Sequence, residues 1–199
     1  MNEIIAFFTD VPLSFRTSIL LGGIMFFWIL EGLIPLYSFN YKKTKHAITN
    51  LFFTLTTAVI GFGLAFILLK STIFVTQNKI GVIHLFDISL SVQVILSLLI
   101  LDLIGAYLVH FIEHKVPWMW KFHLVHHSDM NVDVTTGLRH HPGETVFRIS
   151  FTILGVYVSG ASIGMVMLYQ SLSVLFAHLT HANINIPKKI DNMISLFFV

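Results

Sequence analysis

Long apolar runs alternate with short polar segments along this chain, and this pattern predicts helices that cross a membrane. Residues 17–37 are almost wholly apolar, and 21 residues of helix extend about 31 Å, enough to cross the hydrocarbon core of a bilayer. The same reasoning predicts further spans over residues 47–69 and 88–109, joined by a polar loop over 70–87. Three helical crossings are therefore expected in the first half of the chain.

A fourth apolar stretch, residues 146–177, has a different form. Its 32 residues are too many for one simple crossing, and Gly155, Ser159, Gly160 and Gly164 weaken its middle. We expect a helical hairpin that enters and leaves the membrane on one side. Lysines at 42, 43 and 45 place the first loop in the cytoplasm, so both ends of this hairpin are expected there too.

The composition agrees with this membrane pattern. The chain is 55% hydrophobic and only 11% charged, with a mean hydropathy of +0.82. The fold class predicted is an all-α integral membrane protein with about four transmembrane helices, or two helical hairpins, and a cytoplasmic histidine-rich site. The absence of cysteine excludes thiolate metal sites, and the scattered basic residues give no reason to expect a nucleic-acid partner.

Histidines carry the candidate chemistry, since nine of the eleven lie between His110 and His181. Spacings of three and four residues place imidazoles on one face of a helix, where several nitrogens can meet at one point. Neutral imidazole suits iron, zinc, copper and nickel, whereas calcium and magnesium prefer oxygen ligands. A metal at the membrane edge is therefore expected, beside apolar spans that can hold a lipid chain.

Three ordered motifs add a family resemblance. The first is Asp102-x4-Tyr107-x2-His110-x3-His114, the second is the segment WKFHLVHHSDMNVDVTTGLRHHPGE, and the third is HLTHANINIP. Together they resemble the integral-membrane fatty acid hydroxylase and sterol desaturase superfamily over residues 102–199. The resemblance implies two non-haem irons held almost wholly by histidine, O2 as co-substrate, and oxidation of a lipid C–H bond. That oxidation is hydroxylation, desaturation or ether cleavage of a fatty acyl, sterol or related lipid, with electrons from an unidentified donor protein.

Spacing and resemblance together select the candidate site residues. The metal ligands predicted are His110, His114, His123, His126, His127 and His181, followed by His178 and His141. Asp102 and Asn183 are predicted to support ligand imidazoles from a second layer. His140 is expected not to ligate, Glu31 is expected to make a structural contact, and His46 and His84 are read as ordinary loop residues. Charged residues between the motifs, among them Glu144, are expected to tie the segment together.

The sequence also predicts how the chain is organised. Residues 1–101 form an N-terminal transmembrane region and residues 102–199 form the histidine-box region, within one structural domain. The family carries a further His-x2-His-His box after a segment similar to DNMISLFFV, and the sequence ends at Val199. The expectation is therefore a C-terminally incomplete site that does not turn over as residues 1–199 alone.

Two other functions remain open at this stage. The five residues from His110 to His114 also fit the His-x-x-Glu-His pattern of inverted zinc peptidases, with Glu113 as general base. A non-catalytic carrier of metal or haem with axial histidines is the other alternative.

Overall fold

The structure, a computed structural model, describes residues 1–194 and contains no β-strand within them. Its α-helices are α1 (Asn2–Thr9), α2 (Leu13–Leu33), α3 (Lys43–Gln77), α4 (Leu90–Asp102), α5 (Val109–Lys115), α6 (Pro117–His127), α7 (Pro142–Ser159), α8 (Ile163–His181) and α9 (Lys188–Ile194). Four helical stretches of this part of the chain are long and apolar enough to span a membrane: Leu13–Leu33, Lys43–His84, Leu90–Lys115 and Ile163–His181. The predicted all-α membrane fold is confirmed. The end of the DNMISLFFV stretch, residues 195–199, lies outside the described residues.

Two predicted span boundaries are wrong, and local chemistry explains each. The first span was predicted over residues 17–37, but α2 starts directly after Pro12 and ends before Pro35, since proline disfavours helix in the residue before it. The expected polar loop at 70–87 begins as helix, because α3 continues to Gln77. The ammonium group of Lys70 lies 4.7 Å from the centre of the Phe66 ring, so the charge is accommodated on the helix surface.

The third span continues further than predicted. A six-residue π-helix, Leu103–Leu108, joins α4 to α5, so one helical stretch runs from Leu90 to Lys115. Here the π-helix passes close to α7, and a Cβ atom added to Gly105 would lie 3.2 Å from Oγ1 of Thr152. His110 and His114 therefore project from the end of this long helix, whereas the sequence pattern placed them in a separate segment after it.

The hairpin predicted over residues 146–177 is present as α7 and α8. The chain reverses at Gly160, whose φ of +91° is a left-handed conformation that favours glycine. At this turn His84 Nε2 lies 3.2 Å from the carbonyl oxygen of Gly160. The first residues of α7 and the last residues of α8 consequently lie together at the opposite end of the bundle, where the histidines are.

The apolar core lies between α3, α4, α7 and α8 and reaches to the Gly160 turn. Its most deeply buried members include Val75, Val94, Leu101, Val156 and Val166. Many large apolar side chains on α2 and α3 point outward, as expected for helices that face lipid. The polar site is thus confined to one end of an apolar bundle.

Candidate metal centre

Four imidazoles from two consecutive helices converge on one point. His110 and His114 lie one turn apart on α5, and His123 and His127 lie one turn apart on α6. Pro117 begins α6 and breaks the helix between the two pairs, which turns them toward each other. Nε2 of His114 lies 3.0 Å from Nε2 of His110, and Nε2 of His127 lies 3.1 Å from Nε2 of His114 and 3.0 Å from that of His123. We call these residues the four-histidine group.

The four-histidine group fits a metal ion. Its ligand nitrogens all lie within 4.8 Å of one another. Metal–nitrogen bonds of about 2.0–2.1 Å in a tetrahedron would separate neighbouring nitrogens by roughly 3.3–3.4 Å, close to the spacing observed here. A neutral imidazole keeps one ring nitrogen without a proton, so each member of the group can offer a lone pair to a cation at this point.

A second pair of imidazoles lies beside the first group. His126 Nε2 lies 3.3 Å from Nε2 of His181 at the end of α8, and the His140 ring stacks on the His126 ring with centroids 4.9 Å apart. Nδ1 of His126 is buried and has no hydrogen-bond partner among the described residues. Burial, and then the charges of His140 and His181, lower the pKa of His126 to about 2, which keeps this imidazole neutral and available as a ligand. We call His126 and His181 the second histidine pair.

Buried charges lie directly behind the four-histidine group. Oε1 of Glu144 accepts hydrogen bonds from Nδ1 of His123 at 3.0 Å and from Nε of Arg148 at 2.7 Å. Glu113 accepts from Nη2 of Arg148 at 3.1 Å. Burial would raise the pKa of Glu144, but the hydrogen bonds from His123 and His140 and the charge of Arg148 outweigh it and hold that pKa well below its ordinary value. The Arg148 guanidinium pairs with both carboxylates, and Glu113, Glu144 and His123 together form a second group of side chains that could hold a metal ion.

A polar network centred on His46 fixes the loop after α6 to the start of α3. His46 Nδ1 lies 2.9 Å from Asp133 and its Nε2 lies 2.8 Å from Asp129. Burial would raise the pKa of Asp129, but hydrogen bonds from His46 and Thr136 outweigh it and lower that pKa. The predicted role of the loop charges in tying the segment together is confirmed for these aspartates. Reading His46 as an ordinary loop residue is wrong; its spacing of four from Asn50, which is also buried in this network, was the available signal.

Glu31 joins three distant parts of the chain. Its carboxylate is fully buried, lies 2.6 Å from Nζ of Lys43, and accepts from the backbone N–H groups of Val134 and Asn183 at 2.7 and 2.8 Å. The structural contact predicted for Glu31 is thus present. The side chain of Asn183 bonds to the backbone of Tyr37, so Asn183 holds the segment after α8 to the segment after α2.

Three further candidates lie apart from the converging nitrogens. His178 is 1% exposed, packs against Gly23 of α2, and has neither ring nitrogen hydrogen-bonded within residues 1–194. His141 accepts from the backbone N–H of Gly143 at 3.0 Å and caps α7. Asp102 is exposed at the end of α4, and the π-helix lies between it and His110. The roles assigned to Asp102, His141, His178 and Asn183 stay predictions.

The region that carries these histidines matches a known protein family. The model of the fatty acid hydroxylase family matches residues 94–198, just over half of the chain. The chain belongs to this family. The ornithine lipid hydroxylase OlsE of Rhizobium tropici is 30% identical over 93 residues, which cover 47% of this chain and 28% of that protein. The chain therefore spans well under half the length of this curated relative. No solved structure matches the chain.

The geometry argues against a zinc peptidase and against a haem carrier. Glu113 is fully buried, lies on the Nδ1 side of His123, and bonds Arg148, so it faces away from the Nε2 atoms where a zinc-bound water would lie. A haem between axial histidines needs room for the porphyrin plane, and the neighbouring imidazoles of the four-histidine group fill that room.

Proposed function

We propose that this protein is a membrane-bound, iron-dependent oxidoreductase that uses O2 to hydroxylate or desaturate a C–H bond of a lipid. The observation that carries the proposal is the convergence of four Nε2 atoms from α5 and α6 at the end of a bundle of membrane-capable helices. Membership of the fatty acid hydroxylase family supports the lipid substrate class. An electron donor protein is part of the proposal, because oxidation by O2 of this kind consumes external electrons.

Two sets of residues would hold iron. The four-histidine group would hold one ion, and the second histidine pair would contribute to the other, with His141 and His178 as further candidate ligands. Bound iron supplies the O2 chemistry that side chains cannot perform. The chain orients the imidazoles through Glu144, keeps the second histidine pair uncharged by burial, and fixes the loop between α6 and α7 through His46 and Glu31.

A cleft between α3 and α7 is a candidate entrance for the lipid chain. It encloses about 260 Å³ and is lined by Thr54, Thr57, Ala58, His140, Thr145 and Arg148. His140 forms part of its wall and stacks on His126, so only the His140 ring separates this part of the cleft from the second histidine pair. A lipid chain could therefore reach the histidines sideways from the bilayer.

We also propose that this end of the bundle faces the cytoplasm, as the lysines at 42, 43 and 45 indicate, and that residues 1–101 and 102–199 form one structural domain.

Iron content tests the metal assignment. Protein purified in detergent should contain tightly bound iron by elemental analysis, and His127→Ala should lose most of it because His127 contacts both neighbours in the four-histidine group. His84→Ala is the matched control, since His84 lies at the opposite end of the bundle beside Gly160. Bound zinc with proteolytic activity abolished by Glu113→Ala would contradict the proposal.

Labelled oxygen tests the reaction. Membranes that contain the full-length gene product, supplied with 18O2 and a reductant, should yield lipids that carry the label or a new double bond, and His127→Ala in that protein should abolish this. Mass spectrometry of the lipid extract is the measurement. Equal lipid products from the wild type and His127→Ala would show that the histidines do not perform this chemistry.

A further inference from the structure

A single carboxylate oxygen behind the histidines receives three hydrogen bonds. Oε1 of Glu144 lies 3.0 Å from Nδ1 of His123, 2.9 Å from Nδ1 of His140 and 2.7 Å from Nε of Arg148. Glu144 is fully buried, so no solvent competes for this oxygen. All three partners must donate, because a carboxylate oxygen accepts.

These bonds determine which ring nitrogen of His123 carries the proton. A neutral imidazole has one N–H, and the bond to Glu144 places it on Nδ1. Nε2 of His123 is then unprotonated, and this is the atom that lies 3.0 Å from Nε2 of His127 within the four-histidine group. Carboxylates in this position fix the orientation of ligand imidazoles and make them more basic.

The same oxygen also bonds His140, whose ring stacks on His126 of the second histidine pair. His140 bonds Glu144 through Nδ1, and its ring lies nearly parallel to the ring of His126, at an interplanar angle of 3°. One buried atom therefore braces His123 of the four-histidine group directly and His126 of the second histidine pair through the stacked ring of His140. Arg148 compensates the charge, so the carboxylate can stay buried without cost from an unpaired ion.

We propose that Glu144 is a positioning residue that sets the tautomer of His123 and aligns His140 against His126, and so holds the two histidine groups in register. The expected effect on metal binding rests on the proposed function, whereas the tautomer of His123 can be measured in the absence of metal. Glu113 provides a natural comparison. It is equally buried and also bonds Arg148, but its carboxylate lies 3.6 Å from Nδ1 of His123, beyond hydrogen-bond distance.

The first experiment titrates the purified, metal-free full chain in detergent with Co2+ and follows its visible absorption. Glu144→Gln removes the charge at nearly constant volume and should weaken cobalt affinity about 10–100-fold. Glu113→Gln makes the same chemical change and should weaken it far less, and Glu144→Asp should restore part of the affinity. Equal effects of the two glutamine variants would overturn the inference.

The second experiment reads the tautomer directly. The 15N chemical shifts of the His123 ring in metal-free protein labelled at histidine should report a proton on Nδ1, and Glu144→Leu should remove that preference while Glu113→Leu keeps it. An unchanged His123 spectrum in folded Glu144→Leu protein would overturn the inference. If that variant does not fold, the Glu144→Gln titration decides. Absence of cobalt binding in the wild type would instead contradict the proposed function, and the tautomer measurement would still judge the role of Glu144.

Discussion

At the scale of single residues, Gly23 shows how closely α2 and α8 approach each other. A methyl group at this position would collide with Nδ1 of His178. We predict that Gly23→Ala lowers the free energy of unfolding by about 1–3 kcal/mol, as overpacked buried sites do. Thermal unfolding in detergent measures this effect.

Gly22 is the matched control for that prediction. An added Cβ at Gly22 meets no other atom within 4 Å, so Gly22→Ala should be neutral or slightly stabilising, since alanine favours helix over glycine. If the two substitutions have the same effect, α2 and α8 are not packed through Gly23 and His178 as described.

His126 predicts how the metal-free protein responds to acid. Its pKa is about 2 in the folded state and ordinarily 6.5, so below pH 6.5 the unfolded chain takes up a proton that the folded protein does not. The contribution of His126 to the free energy of unfolding is therefore fully present above pH 6.5. It is lost as pH falls toward 2, by at most about 1.4 kcal/mol per pH unit. Melting temperatures between pH 7 and pH 5 measure the slope.

A substitution that removes titration isolates this contribution. His126→Asn should flatten the dependence of melting temperature on pH between 7 and 5. Leu124→Asn, which changes an exposed apolar residue on the same helix, should leave the slope as it is. An equal slope in His126→Asn and wild type would assign the acid sensitivity to other groups.

At the scale of elements, the π-helix between α4 and α5 sets the direction in which His110 and His114 point. A π-helix has more residues per turn than an α-helix, and π-helical turns within α-helices are frequently found at functional sites. Deleting Ala106 should restore regular α-helix and rotate α5 relative to α4. We predict that the helical content persists by circular dichroism while cobalt binding is lost.

A deletion outside this helix provides the comparison. Removal of the exposed loop residue Leu85 shortens the chain by the same amount before α4 begins and should leave cobalt binding in place. Retention of cobalt binding after deletion of Ala106 would show that the π-helix does not set the orientation of α5.

The pairing of histidines within α5 and within α6 could be predicted from the sequence, because residues four apart on a helix are neighbours. Spacings of four within α5 and α6 fix the relative positions of His110 and His114, and of His123 and His127, whatever the rest of the fold does. The position of Asp102 was not predictable in this way, since the argument assumed a regular helix up to His110. No residue type marks a π-helix in a run of apolar residues.

At the scale of the whole molecule, the bundle has the histidines at one end and the Gly160 turn at the other. Single cysteines at Ser128 and Asn185 should therefore share one labelling pattern with a membrane-impermeant thiol reagent, and a cysteine at Asp87 should show the opposite pattern. The chain has no native cysteine, and all three positions are exposed. Opposite labelling of positions 128 and 185 would contradict the hairpin formed by α7 and α8.

The long-range contacts are the part of the site that sequence could not supply. His46 meets Asp133 across 87 residues, and Glu31 meets Asn183 across 152 residues. The partner of a buried charge depends on how helices pack, and hydrophobic patterning fixes which segments are helical without fixing their neighbours. The sequence therefore predicted that Glu31 had a structural contact but not which residues provided it.

The four-histidine group lies within 18 consecutive residues, from His110 to His127, whereas His181 follows its partner His126 by 55 residues. Contacts between nearby residues form early and at small entropic cost, and distant ones wait for the intervening chain. During synthesis, the first group of ligands can assemble as soon as α6 leaves the ribosome. The second histidine pair can form only after α7 and α8 have both entered the membrane. The two clusters are thus expected to form in that order, the four-histidine group before the second histidine pair.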